Sequence, residues 1–455
     1  MKNEYQRRTI RLSALVLALM LMLTVFSACG GSVGETAGTA SGSTTPSDSS
    51  GIPESSSETD SGVIDADGDL IIFDRGKPVF TIVRGDRATN SETAAAVLLN
   101  ELIKEKTGER LGITTDYLNP GAEYDPAEAE IIVGTTNHEE SKKLKEEIGD
   151  RRFAVRAEGN KIVITASDSV LLTEAVMYFM ENCVKEKADG VFAVDGKLNY
   201  ISEAGSKGLG DLIKRADTFA SSCDIVMTIP AAGNGVTVPQ GGCFDGKYFY
   251  QLFIKKDTQT NEANNVDRIV KVDAATGKTV LVSDDLSLNH GNDITYNPKI
   301  NKLVVVHNNP NRSTVTLIDP ETLTVTESRK LPVTIYCMDY DPQRDCYVVG
   351  ISGGQDFRYL DADFNVISKQ YAATPRTKGY VTQGMACTDD FLFFVLFREN
   401  VITVYDWDGK LVTVIELSVG SIEPENISVY GNDIYITCAK NGATVYRVTP
   451  KFKKN

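Results

Sequence analysis

Five polar side chains occupy corresponding places in a repeated sequence pattern, and their types suit them to bind a ligand. Glutamine, asparagine and histidine side chains can each donate and accept hydrogen bonds, and a single carboxylate adds an acceptor or an acid. Such a mixture suits sugar hydroxyl groups better than phosphate, which favours clusters of arginine. The sequence therefore predicts a ligand-binding site for carbohydrate or another small polar molecule at Gln240, His290, Asn292, Gln383 and Glu425.

Catalysis at these positions is the alternative to binding. Of the three histidines, His290 and His307 fall in this region and His138 lies earlier in the chain. A structural role in a turn and a role in catalysis or metal binding are both compatible with the first two. No GxSxG, HExxH, Walker or GxGxxG motif occurs in a supporting context. We therefore expect binding without a metal or cofactor, and keep an enzyme acting on a small substrate as the alternative.

Short strands repeated along residues 223–452 must position these side chains. Five times, a short strand, a polar turn, a very apolar strand and a third strand follow each other, as in QGGCFDGKYFYQLF with DRIVKVD. The repeat length of about 40 to 50 residues is that of a β-propeller blade. The fifth unit has no fourth strand after it, and residues 224–231, DIVMTIPA, can supply one. The pattern predicts a β-propeller of five four-stranded blades, with a β-sandwich as the alternative.

The first repeat resembles the first blade of plant-type glutaminyl cyclases, which are five-bladed propellers. The resemblance rests on VPQGGCFDGKYFYQLF and DRIVKVDAATGK, including Gln240, Asp245, Tyr248 and Arg268. In that family an acidic residue and small polar residues follow the tyrosine, whereas this chain has Gln251, Leu252 and Phe253. The acid or base that the resemblance implies is therefore missing. A glutaminyl-cyclase-like or lactonase-like activity stays the second interpretation.

Residues 63–202 mix helical and strand patterns and predict a small α/β sandwich. LIIF and VFTIV flank the turn RGKP and predict a hairpin, and FAVRAEGNKIVITA predicts another around EGNK. A helix capped by Asn90 or Ser91 should end at Gly108. Two more helices are expected in HEESKKLKEEIG and SVLLTEAVMYFMENCV, and residues 203–222 should form a helical linker.

This segment resembles the small noncatalytic domain that precedes the catalytic barrel of bacterial β-hexosaminidases and α-glucuronidases. The resemblance is carried by FTIVRGDRATNSETAAAVLLNELIKEKTG, AEIIVGTT, FAVRAEGNKIVITA and TEAVMYFMENCV. It implies an accessory domain without chemistry of its own and makes carbohydrate or cell-envelope material the leading ligand class. The catalytic barrel of that family would need about 250 residues of βα units, which the following repeats do not provide.

The N-terminus has the pattern of a secretory signal peptide. Four basic side chains precede an uncharged run, residues 12–26, which is shorter than the roughly 20 residues of a membrane-spanning helix. The sequence VFSAC then resembles the bacterial lipoprotein signal, although Phe26 stands where leucine is usual. The resemblance implies cleavage after Ala28 and acylation, such as palmitoylation, of Cys29. Cleavage by an ordinary signal peptidase, with Cys29 unmodified, is the alternative.

Residues 29–62 are nearly all glycine, serine, threonine, alanine and acid, and predict a disordered stalk. Together with residues 1–28, they favour a lipid-anchored protein on the extracytoplasmic face of the cell membrane. The net charge of −15 argues against a nucleic-acid partner, because binding phosphates requires basic patches. The seven cysteines after Cys29 contain no CxxC pair and are expected to be buried thiols.

Overall fold

The computed structural model describes residues 63–231, 233–255, 266–351, 356–372 and 381–453. The predicted signal peptide, the lipidation site at Cys29 and the stalk lie outside these residues. Within the described residues, no helix combines the length and apolar character needed to cross a membrane. The chain is mostly β-structure, and helices are concentrated in its first part, residues 63–213.

Two sheets and four helices make up the first part. Its strands are β1 (Leu70–Asp74), β2 (Lys77–Pro78), β3 (Thr81–Arg84), β4 (Gly112–Thr115), β5 (Glu130–Val133), β6 (Phe153–Glu158), β7 (Lys161–Ala166), β8 (Lys185–Ala188), β9 (Val191–Val194) and β10 (Asn199–Ile201). Its helices are α1 (Asn90–Thr107), α2 (Glu139–Ile148), α3 (Ser169–Tyr178), which continues as a π-helical turn over Phe179–Cys183, and α4 (Leu209–Ile213). The larger sheet has the order β10-β6-β7-β5-β3-β4, and the smaller one β2-β1-β9-β8.

Four neighbouring strands of the larger sheet, β7, β5, β3 and β4, are parallel. The central residues of β3, β5 and β7, such as Ile82, Ile131 and Ile162, are fully buried, as expected for strands covered on both faces, whereas the edge strand β4 is largely exposed. The hairpin predicted around EGNK is confirmed, because Glu158 pairs with Lys161 in the antiparallel β6–β7 pair. The hairpin predicted around RGKP is wrong. Only β2 folds back on β1, and the next strand, β3, joins the other sheet.

Helix α1 is capped by Thr89 and not by the predicted Asn90 or Ser91, and it therefore begins at Asn90. The Thr89 hydroxyl accepts the Glu92 N–H at 3.1 Å, and the Glu92 carboxylate accepts the Thr89 N–H at 2.9 Å. This reciprocal capping box satisfies two backbone donors of the first turn. Gly108, with φ of 86°, ends the helix as predicted, because glycine adopts this left-handed conformation without steric cost.

In the second part, residues 218–453, the structure describes twenty strands. They are β11 (Thr218–Ile229), β12 (Val236–Phe244), β13 (Tyr248–Lys255), β14 (Asp267–Asp273), β15 (Thr279–Val282), β16 (Asp293–Asn297), β17 (Lys302–Val306), β18 (Thr314–Ile318), β19 (Val325–Lys330), β20 (Cys337–Asp341), β21 (Cys346–Ile351), β22 (Asp356–Asp361), β23 (Tyr371–Ala372), β24 (Val381–Cys387), β25 (Phe391–Phe397), β26 (Val401–Asp406), β27 (Leu411–Glu416), β28 (Pro424–Tyr430), β29 (Asp433–Ala439) and β30 (Ala443–Phe452).

Three four-stranded antiparallel sheets follow the chain order, β12 to β15, β16 to β19 and β20 to β23. The remaining strands form one eight-stranded sheet of order β24-β25-β26-β27-β11-β30-β29-β28. The first strands β12, β16, β20, β24 and β28 pack against one another in succession, and β28 also packs against β12. Of the predicted ligand-binding residues, Gln240, Gln383 and Glu425 lie on β12, β24 and β28, and His290 and Asn292 lie just before β16.

Strand β11 joins the two halves of the eight-stranded sheet. It pairs antiparallel with β30 from Phe219, opposite Phe452, to Ile229, opposite Ala443. Thr218 and Phe219 also pair in parallel with β27. The sequence predicts a strand only from Asp224. The longer strand forms because residues 219–223 pair with β30 and Thr218 and Phe219 also pair with β27, a long-range effect that local pattern does not reveal.

Polar contacts connect the first part to β11 and β30. The Asp224 carboxylate accepts the Asn90 N–H at 2.7 Å and the Ser91 hydroxyl at 2.5 Å. The Thr449 hydroxyl lies 2.7 Å from the Ser169 hydroxyl and 3.0 Å from that of Ser91. The side chains of these residues are buried except for that of Asn90. Their hydrogen bonds are therefore shielded from water and fix the first turns of α1 and α3 against the sheet.

Candidate functional site

The first strands are held together by short contacts at their centre. A Cβ atom on Gly241 would lie 2.5 Å from the Cα of Asp293, so only glycine allows β12 to approach β16 this closely. The buried Asp293 carboxylate accepts the Met338 N–H at 3.0 Å, and the Asp339 carboxylate accepts the Cys387 N–H at 2.8 Å. Burial raises the pKa of both aspartates. These carboxyl groups join neighbouring first strands and leave the centre closely packed.

Gln383 contacts Glu423, which lies two residues before Glu425 in the sequence. The Gln383 side-chain amide donates to the Glu423 carboxylate at 2.6 Å, and Glu425 follows two positions later at the start of β28. Glu425 is only 9% exposed. Burial, with a smaller contribution from the charge of Glu423, raises the pKa of Glu425 to about 8. At neutral pH Glu425 is therefore mostly protonated and able to donate a hydrogen bond.

Gln240 and Asn292 are buried and direct hydrogen bonds to main-chain carbonyl groups. The Gln240 amide donates to the Pro239 oxygen at 2.9 Å. The Asn292 amide donates to the Tyr336 oxygen at 2.6 Å and so links the segment before β16 to the segment before β20. Each side chain retains its carbonyl oxygen as a further acceptor. Asn292 therefore contributes to the structure by linking two neighbouring sheets.

His290 lies in a strained turn that a buried carboxyl group organises. Its φ is 57°, in the left-handed region, and its side chain is partly exposed. The Asp267 carboxyl group accepts the Gly291 N–H at 3.0 Å, and burial raises its pKa to about 7. His307 is buried, with Nε2 at 2.8 Å from the Thr316 hydroxyl. Burial lowers the pKa of His307 to about 4, so it is neutral at pH 7.

A cavity that the sequence did not reveal lies at the carboxyl ends of β3, β5 and β7. We call it the strand-edge cavity. It has a volume of about 430 Å³ and is lined by residues of the loops after these strands, by Lys145 of α2 and by Arg447 of β30. The segments RGD and IIVGTT, which end two of the buried strands, are the sequence signal that could have indicated it, because open α/β sheets bind ligands beyond the carboxyl ends of their strands.

No protein-family model matches this chain, and the comparison with curated proteins found no match either. Among solved structures, the chain is similar to glutaminyl cyclase from Myxococcus xanthus, with 12% identity and a TM-score of 0.40, over 53% of this chain and 100% of that one. It is also similar to the calcium-binding protein regucalcin from Agrobacterium tumefaciens, with 12% identity and a TM-score of 0.36, over 52% and 98% of the two chains. A nidogen/laminin complex matches with 15% identity and a TM-score of 0.32, over 45% and 73%. These neighbours are β-propeller-like folds of low sequence identity.

The described residues contain free thiols but no cluster of potential metal ligands. Among those that the structure describes, no group of three or more histidine, cysteine, aspartate or glutamate side chains is arranged to hold a metal ion. The seven described cysteines are free thiols, and all except Cys223 are buried. Burial raises the pKa of the Cys243, Cys337 and Cys387 thiols well above the usual value, so these three are poor nucleophiles.

Proposed function

We propose that this protein is a lipid-anchored, extracytoplasmic binding or scaffold protein whose residues 223–452 form a five-bladed propeller. The count of five is supported by the five first strands that pack in succession and by the contact of β28 with β12. The position of β11 beside β30 supports the closure of the last blade by an N-terminal strand. Residues 63–202 act as an α/β accessory domain, and acylated Cys29 together with residues 30–62 tethers both to the membrane.

The ligand is carbohydrate or cell-envelope material bound where the first strands begin. The observation that carries this proposal is the arrangement of Gln383, Glu423 and Glu425. An amide and a mostly protonated carboxyl group beside one carboxylate offer donors and acceptors with little net charge. Sugar hydroxyl groups, which both donate and accept, match such a surface, whereas phosphate would require cations.

An enzyme acting on a small substrate is the second candidate, and Glu425 is the observation that favours it. A carboxyl group with a pKa of about 8 can hold or release a proton near neutral pH, which a general acid or base requires. The two functions differ in what Glu425→Gln would do. The change removes all proton transfer from an enzyme, but glutamine retains a donor and an acceptor for binding.

A glycan array with the purified chain lacking residues 1–29 tests the binding proposal. We expect bound glycans to be lost in the double variant His290→Ala with Gln383→Ala, at little cost in stability. A matched control is Gln343→Ala with Glu146→Gln, which changes two exposed side chains away from these strand starts. Absence of any bound glycan, or equal binding by both double variants, would refute the proposal. Turnover of a bound compound that Glu425→Gln abolishes would support the enzyme.

A further inference from the structure

Loops from several parallel strands and one residue of β30 enclose the strand-edge cavity. Strand β3 leads into Gly85 and Asp86, β5 into Gly134 and β7 into Ser167, all of which line it. Arg447 closes the cavity from the second part of the chain. A volume of about 430 Å³ falls within the usual range of small-molecule sites. The cavity is independent of the strand starts that carry the proposed carbohydrate site.

Three of the four acidic side chains that line the cavity, Glu92, Asp116 and Asp168, accept hydrogen bonds that hold its loops. Asp116, directly after β4, accepts the N–H groups of Asp86 and Asn137, each at 2.6 Å. The Glu92 carboxylate accepts the N–H groups of Thr89 and Thr135, each at 2.9 Å. These two carboxylates join the loops after β3, β4 and β5 into one frame.

Asp168 holds the remaining loop in the same way. Its carboxylate accepts the Leu171 N–H at 2.8 Å at the start of α3 and the side-chain amide of Asn432 at 3.3 Å. The first turns of α1 and α3 border the cavity, and the positive ends of their dipoles offset part of the negative charge of these carboxylates. Asp86, whose side chain is exposed, is the fourth acid of the lining.

The basic side chains, in contrast, retain unused hydrogen-bond donors. Arg87 is exposed and makes no hydrogen bond or ion pair with the described residues. The buried Nε of Arg447 likewise has no hydrogen-bond partner among the described residues, and its Nη2 lies 4.0 Å from Asp224 Oδ2. The Lys145 ammonium group donates to the Ala166 oxygen and has two further protons to donate. The three cations therefore have donors that either water or a ligand with acceptor groups can use.

We propose that the strand-edge cavity binds a small molecule carrying one carboxylate group, held by Arg87, Lys145 and Arg447. Arginine pairs with carboxylate through two parallel hydrogen bonds, and Lys145 adds a point charge. A single negative charge suits the cavity better than a dianion, because four acids also line it. Since Arg447 belongs to β30 and the other two cations to the first part, the ligand would bridge both parts of the chain.

Gluconate, sorbitol and inorganic phosphate are suitable probes for calorimetry and thermal unfolding of the same purified chain. Sorbitol has the carbon skeleton of gluconate with a hydroxymethyl group in place of the carboxylate. We expect gluconate to bind at millimolar concentration and raise the melting temperature, and sorbitol to do neither. No binding of gluconate, equal binding of sorbitol, or tighter binding of phosphate would overturn the proposal.

Single substitutions then assign the binding to these side chains. Arg87→Gln should weaken gluconate binding about tenfold or more, because a charge-assisted hydrogen bond is lost. The ligand-free melting temperature should stay the same, because Arg87 supports no contact of the fold. Lys145→Gln should act similarly, and Lys143→Gln, on the exposed face of α2, is its matched control. Unchanged gluconate affinity in both Arg87→Gln and Lys145→Gln would refute the site, whereas the carbohydrate-site variant with Gln383→Ala should bind gluconate normally.

Discussion

The hydroxyl group of Ser91 donates a 2.5 Å hydrogen bond to the carboxylate of Asp224, and Asp224 also accepts the Asn90 N–H at 2.7 Å. Ser91 lies in the first turn of α1, and Asp224 lies on β11. A carboxylate from the sheet therefore satisfies donors at the N-terminus of a helix in the other part of the chain. Its negative charge also interacts favourably with the positive end of the helix dipole.

Asp224→Ala should lower the free energy of unfolding by about 2–3 kcal/mol, because buried donors of α1 lose a charged acceptor. Chemical denaturation followed by circular dichroism measures this change. Asp217→Ala, at an exposed position just before β11, should cost less than about 0.5 kcal/mol. Equal effects of the two substitutions would show that the contact between Ser91 and Asp224 contributes nothing to stability.

Deleting residues 224–231 should destabilise both parts of the chain. The deletion removes half of the residues of β11 that pair with β30 and also the carboxylate at the start of α1. Differential scanning calorimetry should therefore show the loss or a large downward shift of every transition. A melting profile of the β-rich part that stays unchanged would contradict the role of β11 as its closing strand.

Glu425 should make the folded state less stable as pH rises. Its folded pKa of about 8 lies above the ordinary value near 4.3, so the folded state binds this proton more tightly than the unfolded state. Stability from this group is complete below about pH 4.3 and falls by roughly 1.4 kcal/mol per pH unit until pH 8. Urea unfolding from pH 5 to 8 measures the slope. Glu425→Gln should flatten it by that amount, and an identical slope in both proteins would contradict the buried, protonated state.

Cys29→Ser should release the protein from membranes, because the acyl anchor is lost. Membrane fractionation of cells that produce each variant, with immunodetection, measures the distribution. Cys223→Ser is the matched control, since it removes a partly exposed thiol elsewhere and should leave the protein with the membrane. A Cys29→Ser protein that still sediments with membranes after signal cleavage would disprove lipid anchoring.

Local patterns predicted those elements whose partners are close in sequence. The hairpin of β6 and β7 follows from apolar strands around EGNK, and α1 follows from its apolar spacing and Gly108. The hairpin predicted around RGKP does not form because β3 pairs with β4 and β5, two strands that follow α1 in the sequence. Ser91 does not cap the helix because its hydroxyl group donates to the carboxylate of Asp224, a residue distant in sequence.

The candidate sites, too, could be predicted only in the part that local sequence determines. The repeat was sufficient to select Gln383 and Glu425 as residues at the starts of first strands, but their contact with Glu423 and the raised pKa of Glu425 depend on burial. The strand-edge cavity was missed because its lining comes from the loops after parallel strands, from α2 and from β30. Arg447 lies within a strand pattern, and only the folded arrangement brings it beside Lys145.

The place of β11 also fixes the order of events during synthesis. Residues 218–229 leave the ribosome long before residues 443–452, which form their antiparallel partner, β30. Until then the edge of β11 that faces β30 has no strand to pair with, and an unpaired edge can recruit another chain. Pairing of β11 with β30 also costs conformational entropy, because two segments that are distant in sequence must be brought together. The β-rich part can therefore reach its final form only after translation of β30, and protection of this edge in the nascent chain would be needed until that point.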